Sequence, residues 1–256
     1  MKAAFVVFDR MTSLDFIGFY DPVTRLKSMK IMDDFEWRIC AMTQHAVDDR
    51  ALRLEADAIA EPLSSYDMLF VPGGFGTRNL QHDGSFIDWL KTARSVPLKV
   101  SVCTGALLLG AAGFLRGRRA TTHPSVYKEL EPYCGAVVQE RVVDEGDIIT
   151  SGGSSSAIDT GLHLVQRLAG ADARARIATQ MDYPYQWEVI LAQSNFSWNG
   201  RAVGASLHQP QVLAPVHQDI RPRVLTAKAG LASGRRSSNE RQQQQDSRRS
   251  CDPRAG

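Results

Sequence analysis

The segment Leu98-Lys-Val-Ser-Val-Cys103-Thr104-Gly105-Ala-Leu-Leu-Leu-Gly-Ala-Ala112 combines a strand and a helix with almost no connection between them. Its first five residues favour a short buried strand, and the Ala- and Leu-rich half favours a helix that starts within two residues of Cys103. A strand that runs directly into a helix is typical of a parallel α/β sheet. The segment therefore predicts that Cys103 lies on a tight turn between the two elements.

The same alternation extends outward along residues 1–182. The strands that we predict from apolar, β-branched runs are Ala3–Phe8, Glu36–Met42, Met68–Val71, Lys99–Val102 and Ile148–Thr150. The helices that we predict from the spacing of apolar residues are Phe16–Met29, Ser85–Ala93, Gly105–Gly113 and Ser155–Ala169. Two segments, Ala46–Pro62 and Val137–Ile149, alternate like hairpins.

Strands that alternate with helices predict one fold class. We expect a single flavodoxin- or Rossmann-like three-layer α/β sandwich, with a mostly parallel sheet and a nucleophile elbow at Cys103. The functional crevice of such a sheet lies beyond the carboxyl ends of its strands. The residues that follow the first, third and fourth predicted strands are thus candidates for the site: Asp15, Gly73 with Gly74, and Cys103 with Thr104.

Cys103 stands where a thiol can be activated. Backbone N–H groups and the dipole at a helix N-terminus favour negative charge, so we expect a pKa below the ordinary value of about 8.5. Gly105 removes side-chain bulk where the turn must be sharp. A buried structural cysteine at the end of a strand fits the same pattern, and the local sequence leaves both interpretations open.

Other candidates carry similar alternatives. The Val71-Pro72-Gly73-Gly74 loop could offer N–H groups to developing negative charge, or be a plain turn. Asp15 could be an acid at the mouth of the first strand, or the N-cap of the following helix. His123 could face the crevice as a substrate-binding residue, or be a structural histidine.

The composition excludes several classes of protein. The chain has 256 residues, 43% of them hydrophobic, without an apolar run long enough to span a membrane and with no signal peptide, so we expect a cytoplasmic location. Four cysteines without paired spacing indicate neither a disulfide framework nor a zinc site. Residues 201–256 hold ten Lys or Arg against four Asp or Glu. We expect an irregular extension over 183–229 and a disordered, basic, Gln-rich tail over 230–256, and we do not expect this tail to bind nucleic acid.

Over roughly Lys2 to Tyr183 the chain resembles the ThiJ/PfpI superfamily, which shares the class I glutamine amidotransferase-like fold. The stretches that carry the resemblance are Ser101-Val-Cys-Thr-Gly-Ala-Leu-Leu-Leu-Gly-Ala-Ala-Gly-Phe-Leu-Arg-Gly-Arg-Arg-Ala-Thr-Thr-His123, Val-Pro-Gly-Gly at 71–74, Leu-Asp at 14–15 and Glu-Arg-Val-Val at 140–143. They are most similar to the isonitrile hydratase (cyclohexyl-isocyanide hydratase) branch and to the sensor domain of AraC-type regulators.

The resemblance implies a role for each matching residue. It assigns catalysis to Cys103, Asp15 and Thr104, which would hydrate an isocyanide to an N-substituted formamide without a metal or organic cofactor. It also implies a small-molecule substrate and a homodimer. Thr104 stands where the peptidase and glyoxalase branches carry a histidine, which argues against those activities. One departure from the isonitrile hydratases matters: Pro124 stands where they tend to have an aromatic residue, so the shape of the pocket is expected to differ.

A different class of function is a ligand or stress sensor that keeps the elbow cysteine without turnover. AraC-type regulators carry two helix-turn-helix motifs after this domain, and the residues after Tyr183 contain no such pair. A DNA-binding regulator is therefore disfavoured, whereas a stand-alone sensor remains open beside the hydratase.

Overall fold

The computed structural model describes residues 1–183, so the predicted extension beyond Tyr183 and the predicted tail at 230–256 lie outside the described residues. The strands are Lys2–Val6 (β1), Glu36–Ala41 (β2), His45–Val47 (β3), Arg53–Glu55 (β4), Ala58–Ile59 (β5), Met68–Val71 (β6), Leu98–Val102 (β7), Arg119–Ala120 (β8), Ala136–Val137 (β9), Val142–Asp144 (β10) and Ile148–Ser151 (β11). The α-helices are Ser13–Ser28 (α1), Thr77–Leu80 (α2), Gly84–Lys91 (α3), Gly105–Ala111 (α4), Tyr127–Leu130 (α5), Ser156–Ala169 (α6) and Ala171–Gln180 (α7).

A seven-stranded sheet forms the centre of the described part, in the order β10-β11-β7-β6-β1-β2-β5. Every neighbouring pair in it is parallel except β10 with β11. Helices α1, α6 and α7 pack together, and α2 to α5 form a second group around α4. The predicted three-layer α/β sandwich with a mostly parallel sheet is confirmed.

The three central strands carry the core. Strands β6 and β7 are buried at every position, and β1 at all but its first residue, because helices cover both faces of a parallel sheet. Aromatic rings from α1 lie on this sheet, and Phe19 stacks on Phe70 with ring centroids 4.1 Å apart. The core fixes the strand ends on which the site depends.

The five strands and four helices predicted from the sequence are present, with ends shifted by a few residues. The hairpin predicted over Ala46–Pro62 is only partly right. Strands β3 and β4 pair antiparallel, but β5 leaves the hairpin and joins β2 in the main sheet. The hairpin predicted over Val137–Ile149 consists of β10 and β11, while Val137 belongs to β9 and pairs with β8. Helix α7 was not predicted.

Across residues 1–183, no helix is long and apolar enough to cross a membrane.

Helices α1 and α6 approach each other closely at two glycines. A Cβ atom on Gly18 would lie 2.9 Å from the Cβ of Ala157, and one on Gly161 would lie 2.5 Å from Cγ of Pro22. Real Cβ atoms do not come this close to their neighbours, so both positions require glycine. The close approach aligns α1, and with it Asp15, on the sheet.

Gly161→Ala should therefore destabilise the fold although alanine favours helix formation. The added methyl meets a rigid proline ring, and overpacking of this kind costs about 1–3 kcal/mol. Gly84→Ala is the matched control, because nothing lies within 4 Å of a Cβ at that position. Thermal unfolding should give a lower Tm for Gly161→Ala and an unchanged one for Gly84→Ala. Equal Tm values would contradict the close packing of α1 on α6.

Candidate active site

Cys103 lies on the elbow between β7 and α4 in a strained backbone conformation. Its φ angle is +57°, in the left-handed region that non-glycine residues seldom occupy. The Cys103 N–H donates to the carbonyls of Ser151 and Gly152 at 3.1 and 2.7 Å, and the Thr122 hydroxyl donates to the Cys103 carbonyl at 2.8 Å. These bonds hold the strained residue in place, as is common at functional sites.

The turn that follows Cys103 requires glycine at position 105. A Cβ atom on Gly105 would lie 2.3 Å from the Val71 carbonyl oxygen and 2.7 Å from that of Pro72. The prediction that Gly105 makes room for a sharp turn is confirmed. Its small size brings the elbow against the loop that follows β6.

Asp15 is fully buried in the first turn of α1. The interpretation of Asp15 as an N-cap is wrong, because the helix begins at Ser13 and Thr12 occupies the N-cap position. The Asp15 Oδ2 atom accepts a hydrogen bond from the Gly73 N–H at 3.0 Å. The Oδ1 atom is buried and has no hydrogen-bond partner of ordinary geometry among the described residues. The carboxyl group thus keeps one oxygen for a proton, a water molecule or a substrate.

Gly73 brings the acid and the elbow together. A Cβ atom at this position would lie 2.5 Å from the Thr104 nitrogen and 2.8 Å from both Asp15 Oδ2 and the Cys103 Cβ. Only a residue without a side chain allows these three groups to converge. The carboxyl ends of β1, β6 and β7 thus meet at one point, as the topology predicts.

Burial raises the pKa of both acidic groups. Removal from water raises the pKa of Asp15, and the proximity of Ser154, the Cys103 thiol and the Gly73 amide offsets part of this rise. Burial, followed by the negative charge of Asp15, raises the pKa of the Cys103 thiol to about 12. The expected lowering of the thiol pKa is therefore wrong, because burial and the charge of Asp15 outweigh the opposing interactions with Thr104.

The glycine amides are already used. The Gly73 N–H donates to Asp15, and the Gly74 N–H donates to Thr104 Oγ1 at 2.9 Å. The Thr104 hydroxyl also lies 2.9 Å from that of Thr77 and donates to the Gly74 carbonyl. In this structure the two amides orient the acid and the threonine, whereas we expected them to be free for substrate.

His123 caps a turn and also borders the cavity, while its contact with substrate stays a prediction. Its Nδ1 atom accepts a hydrogen bond from the Ser125 N–H at 3.2 Å and so caps the following turn. Its ring also lines the cavity above Cys103, and its positive charge, when present, lowers the pKa of Asp15.

A cavity of about 280 Å³ opens at the elbow, lined by Cys103, Thr104, Gly74, His123 and Ser154 among others. Ser154, which also influences the Asp15 carboxyl, is a site residue that the pattern did not identify. Its only sequence signal is its position shortly after β11, at the same edge of the sheet. Within residues 1–183 no cluster of three His, Cys, Asp or Glu side chains could hold a metal ion.

The fold and this geometry define an α/β sandwich protein with a cysteine elbow beside a buried carboxyl group. Residues 1–167 match the model of the DJ-1/PfpI family, and the chain belongs to that family.

The relatives of this chain include an enzyme and a transcriptional regulator. Isonitrile hydratase of Pseudomonas putida is 34% identical, over 72% of this chain and 78% of its own. The HTH-type transcriptional regulator CdhR of Pseudomonas aeruginosa is 27% identical, over 69% of this chain and 53% of its own, so the chain spans about half of that regulator. A ThiJ/PfpI family protein from Pseudomonas syringae superposes with a TM-score of 0.65 at 26% identity, covering 72% of this chain and 76% of the other.

The raised thiol pKa makes a direct prediction about alkylation. Because the thiolate is the nucleophile, the rate at which iodoacetamide modifies Cys103 should rise steadily from pH 6 to pH 10 without reaching a plateau. At pH values where Asp15 is ionised, Asp15→Asn removes its negative charge from beside the thiol and should shift this profile to lower pH. Mass spectrometry of the Cys103 peptide measures the rate. A plateau near pH 7 in the wild-type protein would show that the thiol is already ionised.

Proposed function

We propose that the protein is a cysteine-dependent hydro-lyase that hydrates an isocyanide to an N-substituted formamide. The observation that carries the proposal is the buried Asp15 carboxyl next to the Cys103 thiol, with Oδ1 unpartnered. The 34% identity with an isonitrile hydratase over most of both chains supports the choice of substrate. We propose Cys103, Asp15 and Thr104 as the catalytic residues because they meet at the elbow.

The chemistry suits a pair of groups that retain protons. An isocyanide carbon becomes electrophilic only when it is protonated, so a resting thiolate alone is not sufficient. In the first step Asp15 delivers a proton to the isocyanide carbon while sulfur adds to it, and the thiol proton passes to Asp15. The product is a thioimidate, R–N=CH–S–Cys103, and Asp15 is protonated again.

Water completes the reaction. It adds to the thioimidate carbon while Asp15 gives its proton to the nitrogen and the resulting carboxylate takes one from the attacking water, which gives R–NH–CH(OH)–S–Cys103. Collapse of this adduct forms the formamide carbonyl, breaks the C–S bond and returns the hydroxyl proton to sulfur. The sum is addition of one water molecule, and both protein groups regain their starting protonation. Thr104 holds the loop against the elbow, and His123 and Ser154 border the space for substrate and water.

A ligand sensor without turnover is the second candidate. The match to the regulator CdhR and the high resting pKa of the thiol favour it. Such a protein would bind a small molecule in the same cavity and release it unchanged. For either function we propose a cytoplasmic homodimer.

Substitution of Asp15 separates catalysis from structure. Asp15→Asn preserves shape and the acceptor for the Gly73 N–H but removes the transferable proton. Formamide production from cyclohexyl isocyanide should fall by roughly 10²–10⁴, the usual contribution of a general acid–base. Cys103→Ala should remove turnover completely. Product formation is followed by chromatography, and circular dichroism verifies the fold of each variant.

Asp88→Asn is the matched control, because Asp88 is exposed and pairs only with Lys91 at the surface. It should turn over substrate at the wild-type rate. If Asp15→Asn were as active as this control, the acid–base role of Asp15 would be wrong. If the wild-type protein bound isocyanides without hydrating any, the sensor would replace the hydratase.

A further inference from the structure

Arg78 lies beside the reactive elbow, and the proposed reaction gives it no role. It is the second residue of α2, directly after the glycine loop, and it lines the same cavity as Cys103 and Thr104. Its guanidinium carbon lies 5.1 Å from the centroid of the Phe75 ring. That ring is 54% exposed, so an apolar face and a cation stand together at the mouth of the cavity.

The charges around this cavity leave Arg78 without a counterion. The other arginine on its wall, Arg50, forms an ion pair with Asp49 at 2.5 Å. Asp15 is fully buried, and its Oδ2 atom accepts the Gly73 N–H. No carboxylate of the described residues lies within 4.0 Å of Arg78, whereas seven of the fourteen arginines in residues 1–183 form an ion pair with an acid. The guanidinium of Arg78 is therefore a positive charge on the cavity wall that no acid of residues 1–183 neutralises by direct contact.

We propose that Arg78 selects small substrates that carry a carboxylate close to the group that reacts with Cys103. A guanidinium presents paired N–H donors that match the two oxygens of a carboxylate. Phe75 would pack against the hydrocarbon part of the same molecule. The cavity, at about 280 Å³, is just below the usual size range of drug-sized pockets, which suits a compact ligand.

This inference rests on the proposed function only for the identity of the reacting group. For an isocyanide hydratase it names the substrate class as isocyano carboxylates, as opposed to neutral isocyanides. For a sensor the same site would bind small carboxylates. The test therefore needs one measurement that is independent of hydration.

Alkylation of Cys103 supplies that measurement. Iodoacetate and iodoacetamide are similar in size and react with the same thiol, but only iodoacetate carries a carboxylate. Their rate ratio cancels any change in thiolate fraction or access to the elbow. Arg78→Gln should lower the iodoacetate-to-iodoacetamide ratio about tenfold, as expected for a partly exposed charge-assisted contact. Arg78→Lys should retain part of the wild-type ratio.

Arg116→Gln is the control for total charge, because Arg116 is exposed and does not line the cavity. Its ratio should equal that of the wild type. A ratio unchanged in Arg78→Gln, or lowered equally in Arg116→Gln, would overturn the proposal. An unchanged iodoacetamide rate in Arg78→Gln would show that the elbow itself is intact.

Turnover measurements then distinguish the proposed hydratase activity from the proposed carboxylate selection by Arg78. We expect kcat/KM for isocyanoacetate to exceed that for methyl isocyanoacetate about tenfold, and Arg78→Gln to abolish this preference. If neither compound is hydrated but the alkylation ratio falls, the hydratase fails and the carboxylate site stands. If both are hydrated equally and the ratio is unchanged, the hydratase stands and the role of Arg78 is refuted.

Discussion

The hydrogen bond from the Gly73 amide to the Asp15 carboxyl joins the loop after β6 to the first turn of α1. Gly73 also lies against the Cys103 Cβ and the Thr104 nitrogen, so the same residue sets the distance between acid and elbow. Further contacts hold both α1 and Cys103 in position. Close packing on α6 through glycines holds α1, and the carbonyls of Ser151 and Gly152 hold the strained cysteine. The site depends on backbone contacts at the ends of parallel strands.

Burial determines how the two acidic groups behave. Asp15 and the Cys103 thiol share a space from which water is largely excluded, so ionisation of either is costly and ionisation of both is costlier still. A pair of this kind keeps its protons until a substrate arrives that can accept one. The hydration of an isocyanide requires such a delivery, because proton transfer to carbon makes the carbon electrophilic.

The sequence was sufficient to predict the architecture and the convergence of Asp15, Gly73 and Cys103. Strands that alternate with helices along the chain form a parallel sheet, and the carboxyl ends of its strands lie at the same edge. It was insufficient for the thiol pKa. The helix N-terminus is visible in sequence, whereas the burial that raises the thiol pKa depends on tertiary packing. The N-cap interpretation of Asp15 failed because the helix begins three residues earlier than the apolar spacing indicates. Ser154 and Arg78 emerged only from the cavity, because neither belongs to a local pattern.

The central claim, that Asp15 holds a proton beside Cys103, is tested most directly by ¹³C NMR of protein labelled at the aspartate carboxyl carbons. The Asp15→Asn spectrum assigns the Asp15 resonance, and its chemical shift is followed against pH. The account predicts a midpoint clearly above the ordinary value of 3.8 for this residue, and a change in that midpoint in Cys103→Ala. A midpoint at or below 3.8, unaffected by loss of the thiol, would contradict the shared proton and the mechanism built on it.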